Sequence, residues 1–209
     1  MVAEHPLTAD LIRSSVVLRL EAAQWADAER VLLRMTSFSN HSRSSGMPPF
    51  FSRGKLANGI RFALRPGLLT FDSSKATDDL SLVLTVLDLL EEVHPKSMSI
   101  SWSLYFSVEH PNRFLLSLIA SPSKFTLNDV EPSVPRIELE YNFDGIGVDV
   151  LVGKSSMTSS DFADKLRIKV SVTPKVGNFN TNYKSFVKSW SDHRDFAFRA
   201  ANHLFGFVR

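Results

Sequence analysis

Apolar and polar side chains alternate from Met98 to Glu109, in the longest run of this kind in the chain. Successive side chains of a β-strand point to opposite faces, so the run predicts a strand with one face in a hydrophobic core. The other face carries mostly serine, a small polar surface able to contact solvent, another backbone or a partner. A chain with this strand must build a sheet that is apolar on one side.

Shorter alternating runs predict more antiparallel strands. They cover residues 13–20, a hairpin over 59–72, a second hairpin made of 137–143 and 146–152, and a last strand over 166–172. The run FLLSLIA at 114–120 also predicts a strand, one that is mostly buried.

Helical spacing of apolar residues appears in three segments. Residues 22–35 predict an amphipathic surface helix, and residues 80–93 predict a more buried one because they are apolar on most faces. From residue 181 onward, apolar residues at helical spacing predict one long amphipathic helix at the C-terminus.

These elements predict an α+β fold with a mainly antiparallel sheet. From Arg13 to Glu109 their order is β-α-β-β-α-β, the element order of a ferredoxin-like fold, and an antiparallel meander and the long C-terminal helix follow. We expect a single domain over residues 1–209, which a break near Glu109 could divide into halves at 1–109 and 110–209. The alternative is a helix-grip-like fold, in which the strands wrap around the terminal helix and enclose a cavity.

Residues 36–58 are rich in Ser, Gly and Pro and predict a mobile loop. Unstructured loops longer than roughly 12–15 residues inside a domain are usually functional or disordered, so this one is a candidate contact element. Its candidate partner contacts are the bases Arg43, Arg53 and Lys55 and the aromatics Phe38, Phe50 and Phe51.

The net charge of +2 conceals an uneven distribution of charge along the chain. Residues 30–71 carry seven bases and no acid, residues 72–164 carry six bases and fifteen acids, and residues 165–209 carry nine bases and two acids. Alternating blocks of this kind predict surfaces that attract partners of opposite charge.

The sequence has no signature of catalysis. It contains no cysteine, which excludes disulfides, thiolate nucleophiles and cysteine-ligated metals. It also lacks a glycine-rich phosphate loop, a GxSxG string and a histidine cluster at metal-binding spacing. We therefore expect no catalytic residue, no metal and no cofactor, and a role other than enzyme is favoured.

Apolar stretches in the chain stop far short of the roughly 18 residues needed to span a bilayer. The N-terminal residues also lack the basic patch and apolar run of a secretory signal. We expect a cytoplasmic protein without a membrane partner.

Acids and bases occupy the outward positions of two predicted strands. Glu138, Glu140 and Asp144 share one strand face, and Arg167 and Lys169 take the equivalent positions of another strand. This pattern predicts cross-strand ion pairs at the surface, rather than paired carboxylates for acid–base catalysis.

Bases and aromatic residues interleave in the C-terminal segment. Lysine and arginine neutralise phosphates and aromatic rings stack on unpaired bases, so this segment and the 36–58 loop could form a nucleic-acid groove. Its candidate contacts are the bases Lys175, Lys184, Lys188, Arg194 and Arg199 and the aromatics Phe196 and Phe198. Helical spacing of Tyr183, Phe186 and Trp190 favours a simpler interpretation, in which the aromatics belong to the core.

Three functions follow, in order of preference. The first is a non-catalytic intracellular interaction protein, an oligomer or a subunit of a larger assembly, because the predicted sheet is larger than three helices readily cover. The second is a nucleic-acid-binding accessory protein that uses the basic blocks 30–71 and 165–209. The third is a carrier of a small apolar ligand in a cavity under the last helix.

Overall fold

The computed structural model describes residues 9, 11–43, 52–73, 79–118, 136–143, 146–155, 165–174 and 182–205. Nine strands and five helices lie within these ranges. The strands are β1 Leu11–Arg19, β2 Thr36–Arg43, β3 Ser52–Leu56, β4 Arg61–Arg65, β5 Leu68–Ser73, β6 Ser97–Phe106, β7 Arg136–Phe143, β8 Ile146–Lys154 and β9 Leu166–Pro174. The helices are α1 Ala22–Met35, α2 Asp79–Glu92, α3 Pro111–Ser117, α4 Tyr183–Lys188 and α5 Trp190–Phe205.

All nine strands belong to one antiparallel sheet with the order β2-β3-β4-β5-β1-β6-β9-β8-β7. The first strand of the chain lies in the middle, between β5 and β6. Helix α1 leads from β1 to the edge strand β2, and α2 leads from β5 across β1 to β6. The predicted α+β class with an antiparallel sheet is therefore confirmed.

The hydrophobic core lies on one face of this sheet, which we call the helix face. Register partners on neighbouring strands, such as Val16, Ile100 and Val172, are fully buried there. Residues of α1, α2, α4 and α5 pack on this face in the same cluster. At its centre the ring of Trp102 meets the ring of Trp190 edge to face, with centroids 5.3 Å apart. One layer of helices thus covers one layer of sheet.

Most of the periodic segments fold as predicted. Helix α1 covers the predicted residues 22–35, and α2 begins and ends one residue before the predicted 80–93. The alternating run folds as β6, and its Trp102 points into the core while the serines point to the opposite face. The second hairpin and the last strand are confirmed as β7, β8 and β9.

The prediction of a mobile loop over residues 36–58 is wrong where the structure describes this segment. Strands β2 and β3 occupy most of it; they pair with each other, and β3 also pairs with β4. In β3 only Ser52 and Leu56 are buried, while Arg53 and Lys55 are exposed. A strand near a sheet edge needs few apolar side chains, so its composition resembles that of a loop.

The predicted strand over 114–120 is also wrong, because α3 includes Phe114 to Ser117. Pro111 opens this helix, where its fixed φ is compatible with the first turn. The amide of Phe114 donates to the carbonyl of His110, and Leu115 is fully buried. Short apolar runs do not distinguish a buried strand from a buried helix, and here the proline decided the outcome.

The ferredoxin-like arrangement is not confirmed, because the strand order of the sheet differs. Strands β2 and β3 extend the sheet beyond β4, and β9, β8 and β7 extend it beyond β6. The helix-grip-like alternative stays a prediction; α5 packs against β9 on the helix face. Among the described residues the sheet is a single open layer running from β2 to β7.

The C-terminal helix is divided in two. The side chain of Asn182 caps α4 by accepting a hydrogen bond from the amide of Ser185 at 3.1 Å. Helix α4 ends at Lys188 with Ser189 as its C-cap, and α5 begins with Trp190. The single long helix of the prediction is therefore not confirmed. None of the helices in the described ranges is long and apolar enough to cross a membrane.

Candidate functional site

The sheet face opposite the helices is polar and is called here the polar face. Side chains on it line up in rows because antiparallel register places them side by side. One row crosses seven strands and consists of Arg61, Asp72, Ser15, Ser101, Ser171, Asp149 and Glu140. Charged residues therefore lie at both ends of this row, with hydroxyl groups between them.

Four strands, β3, β4, β1 and β9, place eight bases on the polar face, and β5 adds one acid. We call the region from β3 to β9, which also includes the uncharged β6, the basic sector. Its bases are Arg13, Arg19, Arg53, Lys55, Arg61, Arg65, Arg167 and Lys169, and its acid is Asp72. Among the described strand residues, the other acids on the polar face are confined to β8 and β7, as Asp149, Glu138 and Glu140. The described part of the basic sector is thus strongly positive although the whole chain carries only +2.

A pocket of about 430 Å³ opens in the basic sector around Asp72 and is called the Asp72 pocket. Guanidinium groups line it from three strands: Arg13 from β1, Arg61 from β4 and Arg167 from β9. Its lining also includes hydroxyl-bearing residues, namely Ser15, Ser103 and Tyr105. Pockets of this size bind small molecules or single groups of larger ones.

Hydrogen bonds orient several side chains in and beside the Asp72 pocket. Arg167 donates to the Oγ of Ser103 from Nε at 3.3 Å and from Nη2 at 3.0 Å. Its guanidinium carbon lies 6.0 Å from the ring centroid of Tyr105, which is only 2% exposed. The Oγ atoms of Ser15 and Ser101 are 2.9 Å apart. Arg167 is therefore oriented before any ligand arrives, which lowers the entropy cost of binding.

The positive charge of the basic sector is reflected in the pKa of Lys169. Burial lowers its pKa, and the neighbouring Arg167 lowers it further, while Asp149 and Asp72 act in the opposite direction. Partial desolvation by neighbouring groups raises the pKa of Asp72, although Arg61, Arg13, Lys169 and Arg167 counteract this effect. Its side chain is nonetheless exposed to solvent. Both shifts favour the protonation state that a dehydrated group prefers.

Of the contact residues predicted in the 36–58 segment, Arg53 and Lys55 lie exposed in the basic sector. The others cannot be placed. Arg43 and Phe38 belong to β2, but their side chains lie outside the described part of the structure, and Phe50, Phe51 and Lys175 lie outside the described residues altogether.

The bases predicted on the C-terminal helices lie on the other side of the sheet. Lys184 Nζ is 2.7 Å from a carboxylate oxygen of Glu91 in α2, and Arg194 Nη1 is 3.1 Å from Asp79 Oδ2. Arg199 donates from Nε to the backbone carbonyl of Asp195 at 3.3 Å. These three bases thus bind within the chain. Their contribution to partner binding stays a prediction.

The remaining C-terminal candidates divide between surface and core. Lys188 is exposed at the end of α4. The aromatics Phe196 and Phe198 are half-buried and pack against the core, which also contains Phe186 and Trp190. The core interpretation therefore fits the packing of these aromatics.

The predicted cross-strand pairing of Glu138 with the bases of β9 is wrong, because β8 lies between the two strands. Glu138 faces Leu151 of β8 and accepts a hydrogen bond from Arg136 at 2.9 Å. The outward bases of β9, Arg167 and Lys169, belong to the basic sector instead.

Sequence reasoning did not single out Arg13 or Arg61, and it assigned Arg167 to a surface ion pair. The signal for all three was the same: a base at an outward position of an alternating strand. Recognising them as one site requires the strand order, since β1, β4 and β9 are far apart in sequence.

No protein-family model matches the chain, and no curated protein matches its sequence. Among the side chains that the structure describes, no group of three or more His, Asp or Glu could hold a metal ion. The basic sector and the Asp72 pocket are accordingly the features from which a function can be argued.

Proposed function

We propose that this chain is a non-catalytic nucleic-acid-binding protein, and that its basic sector binds the phosphate backbone of a single strand. The observation that carries the proposal is the collection of eight bases and one acid on one sheet face. Six of the eight bases are arginine, whose planar fork binds phosphate oxygens in pairs. Clustered bases on one face are the electrostatic signature of nucleic-acid binding.

The composition of the face favours nucleic acid over a protein partner. Protein–nucleic acid interfaces are more polar and far more positive than interfaces between proteins. The aliphatic members of the basic sector, Val17, Ala63 and Leu68, are half-buried and offer little apolar surface. Exposed large apolar side chains among the described residues lie on helices or directly after one, at Leu33, Leu80, Leu84 and Leu118.

Binding should show the salt dependence of a phosphate contact surface, and residues of β3 should account for part of it. We expect the affinity for a fluorescent single-stranded oligonucleotide to fall steeply with salt, because bound phosphates release counterions. The double variant Arg53→Gln with Lys55→Gln should bind about tenfold more weakly and flatten the slope of log K against log salt by about 1.4. Fluorescence anisotropy measures both quantities.

The matched control is Lys188→Gln with Arg199→Gln, which removes the same charge from the helix side. This variant should bind like the wild type. Salt-independent binding, or an equal loss in both double variants, would contradict the proposal. Displacement of the oligonucleotide by polyglutamate as readily as by unlabelled RNA would instead indicate an acidic protein partner and support the assembly function.

Affinity should also fall as the pH rises toward the ordinary lysine pKa of 10.5, and Lys169 should be responsible for the first part of the loss. Burial and Arg167 lower the pKa of Lys169, so it loses its charge at a lower pH than an ordinary lysine. The variant Lys169→Arg keeps its charge and should retain its affinity where the wild type weakens. Anisotropy with an oligonucleotide of adenine and cytosine alone avoids titration of the bases. If the affinity fell equally with pH in the wild type and in Lys169→Arg, Lys169 would be excluded as the cause.

A further inference from the structure

We infer that the Asp72 pocket binds the sugar of one nucleotide and favours RNA over DNA by accepting a hydrogen bond from the ribose 2′-hydroxyl. The inference rests on the proposed function, because it assigns a substrate class to the same face. The acid of the basic sector lines the same pocket as three arginines, Arg13, Arg61 and Arg167.

The guanidinium groups of Arg13, Arg61 and Arg167 suit phosphate groups. They reach the pocket from β1, β4 and β9, so an anion in it can meet cations from several directions. Arg61 and Asp72 are register partners, and Arg13 lies two residues from Ser15, the partner of Asp72 on β1. A phosphate bound by these arginines would therefore place the adjoining sugar near the carboxyl group of Asp72.

An ionised carboxylate can only accept hydrogen bonds, and it repels phosphate. Asp72 is thus useful in this pocket only if the ligand also offers a donor. A ribose carries such a donor, the 2′-hydroxyl, next to its phosphates, and a deoxyribose does not. The pocket matches this pair of groups, with arginines for the phosphates and Asp72 for the hydroxyl.

A purely structural role makes a different prediction. If Asp72 served only to offset the charges of Arg61 and Arg13, its removal would strengthen the binding of RNA and DNA by the same factor. A role in sugar recognition changes the ratio of the two affinities instead. The ratio is therefore the quantity to measure.

The test compares three single-stranded oligonucleotides of one base sequence: RNA, DNA and 2′-O-methyl RNA. The wild type should bind RNA roughly 10- to 100-fold more tightly than DNA, as expected for a hydrogen bond to a charged group. The 2′-O-methyl strand has lost the donor and should bind like DNA. In Asp72→Ala the three affinities should become equal while the salt dependence of binding persists.

The matched control is Glu140→Ala, which removes an acid from the same row of the polar face outside the pocket and should leave the preference intact. If no strand binds, the proposed function fails and the inference fails with it. If the wild type binds all three strands equally, the inference alone fails. A preference that survives in Asp72→Ala would also overturn it. Should that variant unfold, Asp72→Val, which removes the carboxylate but suits a strand, takes its place and must meet the same expectations.

Discussion

Replacing Trp102 by alanine should lower the free energy of unfolding by about 3–5 kcal/mol, the largest change expected at any described residue. Trp102 is fully buried on the central strand β6, and its neighbours in register are Ser14 of β1 and Val170 of β9. Alanine would leave a cavity between the sheet and α5 that rigid strands cannot close. Urea denaturation followed by circular dichroism measures the change.

The control for this variant is Trp25→Ala, which removes the same side chain from a half-buried position on α1. Trp25→Ala should lower the free energy of unfolding by less than half as much as Trp102→Ala. The edge-to-face contact of Trp102 with Trp190 adds a second test, because aromatic pairs of this geometry couple by about 0.5–1.5 kcal/mol in double-mutant cycles. The cycle compares Trp102→Ala, Trp190→Ala and the variant with both changes. If the loss of stability in the double variant equalled the sum of the two single losses, a direct contact between the rings would be contradicted.

Removing the carboxylate of Asp79 should cost about 2–3 kcal/mol of stability, because the change leaves the Ser14 hydroxyl without its acceptor and removes the nearer of the two carboxylates beside Arg194. Asp79 accepts a hydrogen bond from the Oγ of Ser14 at 2.6 Å and another from Arg194 Nη1 at 3.1 Å. Its side chain is 12% exposed and that of Arg194 is 34% exposed, so solvent screens the ion pair only in part. The three residues connect β1, α2 and α5. Asp79→Ala should therefore loosen the helix layer from the sheet.

Asp27→Ala is the matched control for Asp79→Ala. Asp27 pairs with Arg30 one turn away on α1, where both side chains are largely exposed, so its removal should cost no more than about 0.5 kcal/mol. The comparison is made by urea denaturation at low and at high salt. High salt should leave the difference between the two variants largely intact. Equal losses would show that the Asp79 contacts contribute no more than a surface pair.

The sequence predicts those elements whose signal lies within the element itself. Helix α1 and strand β6 are long enough for their apolar period to be unambiguous, and both fold at the expected positions. Segments with a weak or short signal were misassigned. Strand β3 resembles a loop because it buries only Ser52 and Leu56, and α3 resembles a strand because it is short and apolar.

The candidate site could not be predicted because it depends on the strand order. Arg13 and Asp72 meet only because β1 pairs with β5, and Arg167 joins them only because β9 pairs with β6. Side-chain period shows that each of these residues points away from the core, but it does not show which strands are neighbours. Sequence reasoning instead emphasised the C-terminal bases, whose local density is high but whose side chains lie on the opposite side of the sheet.

The central position of β1 has a consequence for the order in which the protein can fold. Ser15 of β1 touches Ser101 of β6 across 86 residues of chain, and both neighbours of β1 are synthesised after it. The middle of the sheet therefore cannot form until β6 has left the ribosome. Long-range pairings of this kind slow folding, since a large loop must close before the strands stabilise each other. During that interval only the elements before β6, such as α1, are available to cover the apolar side of β1.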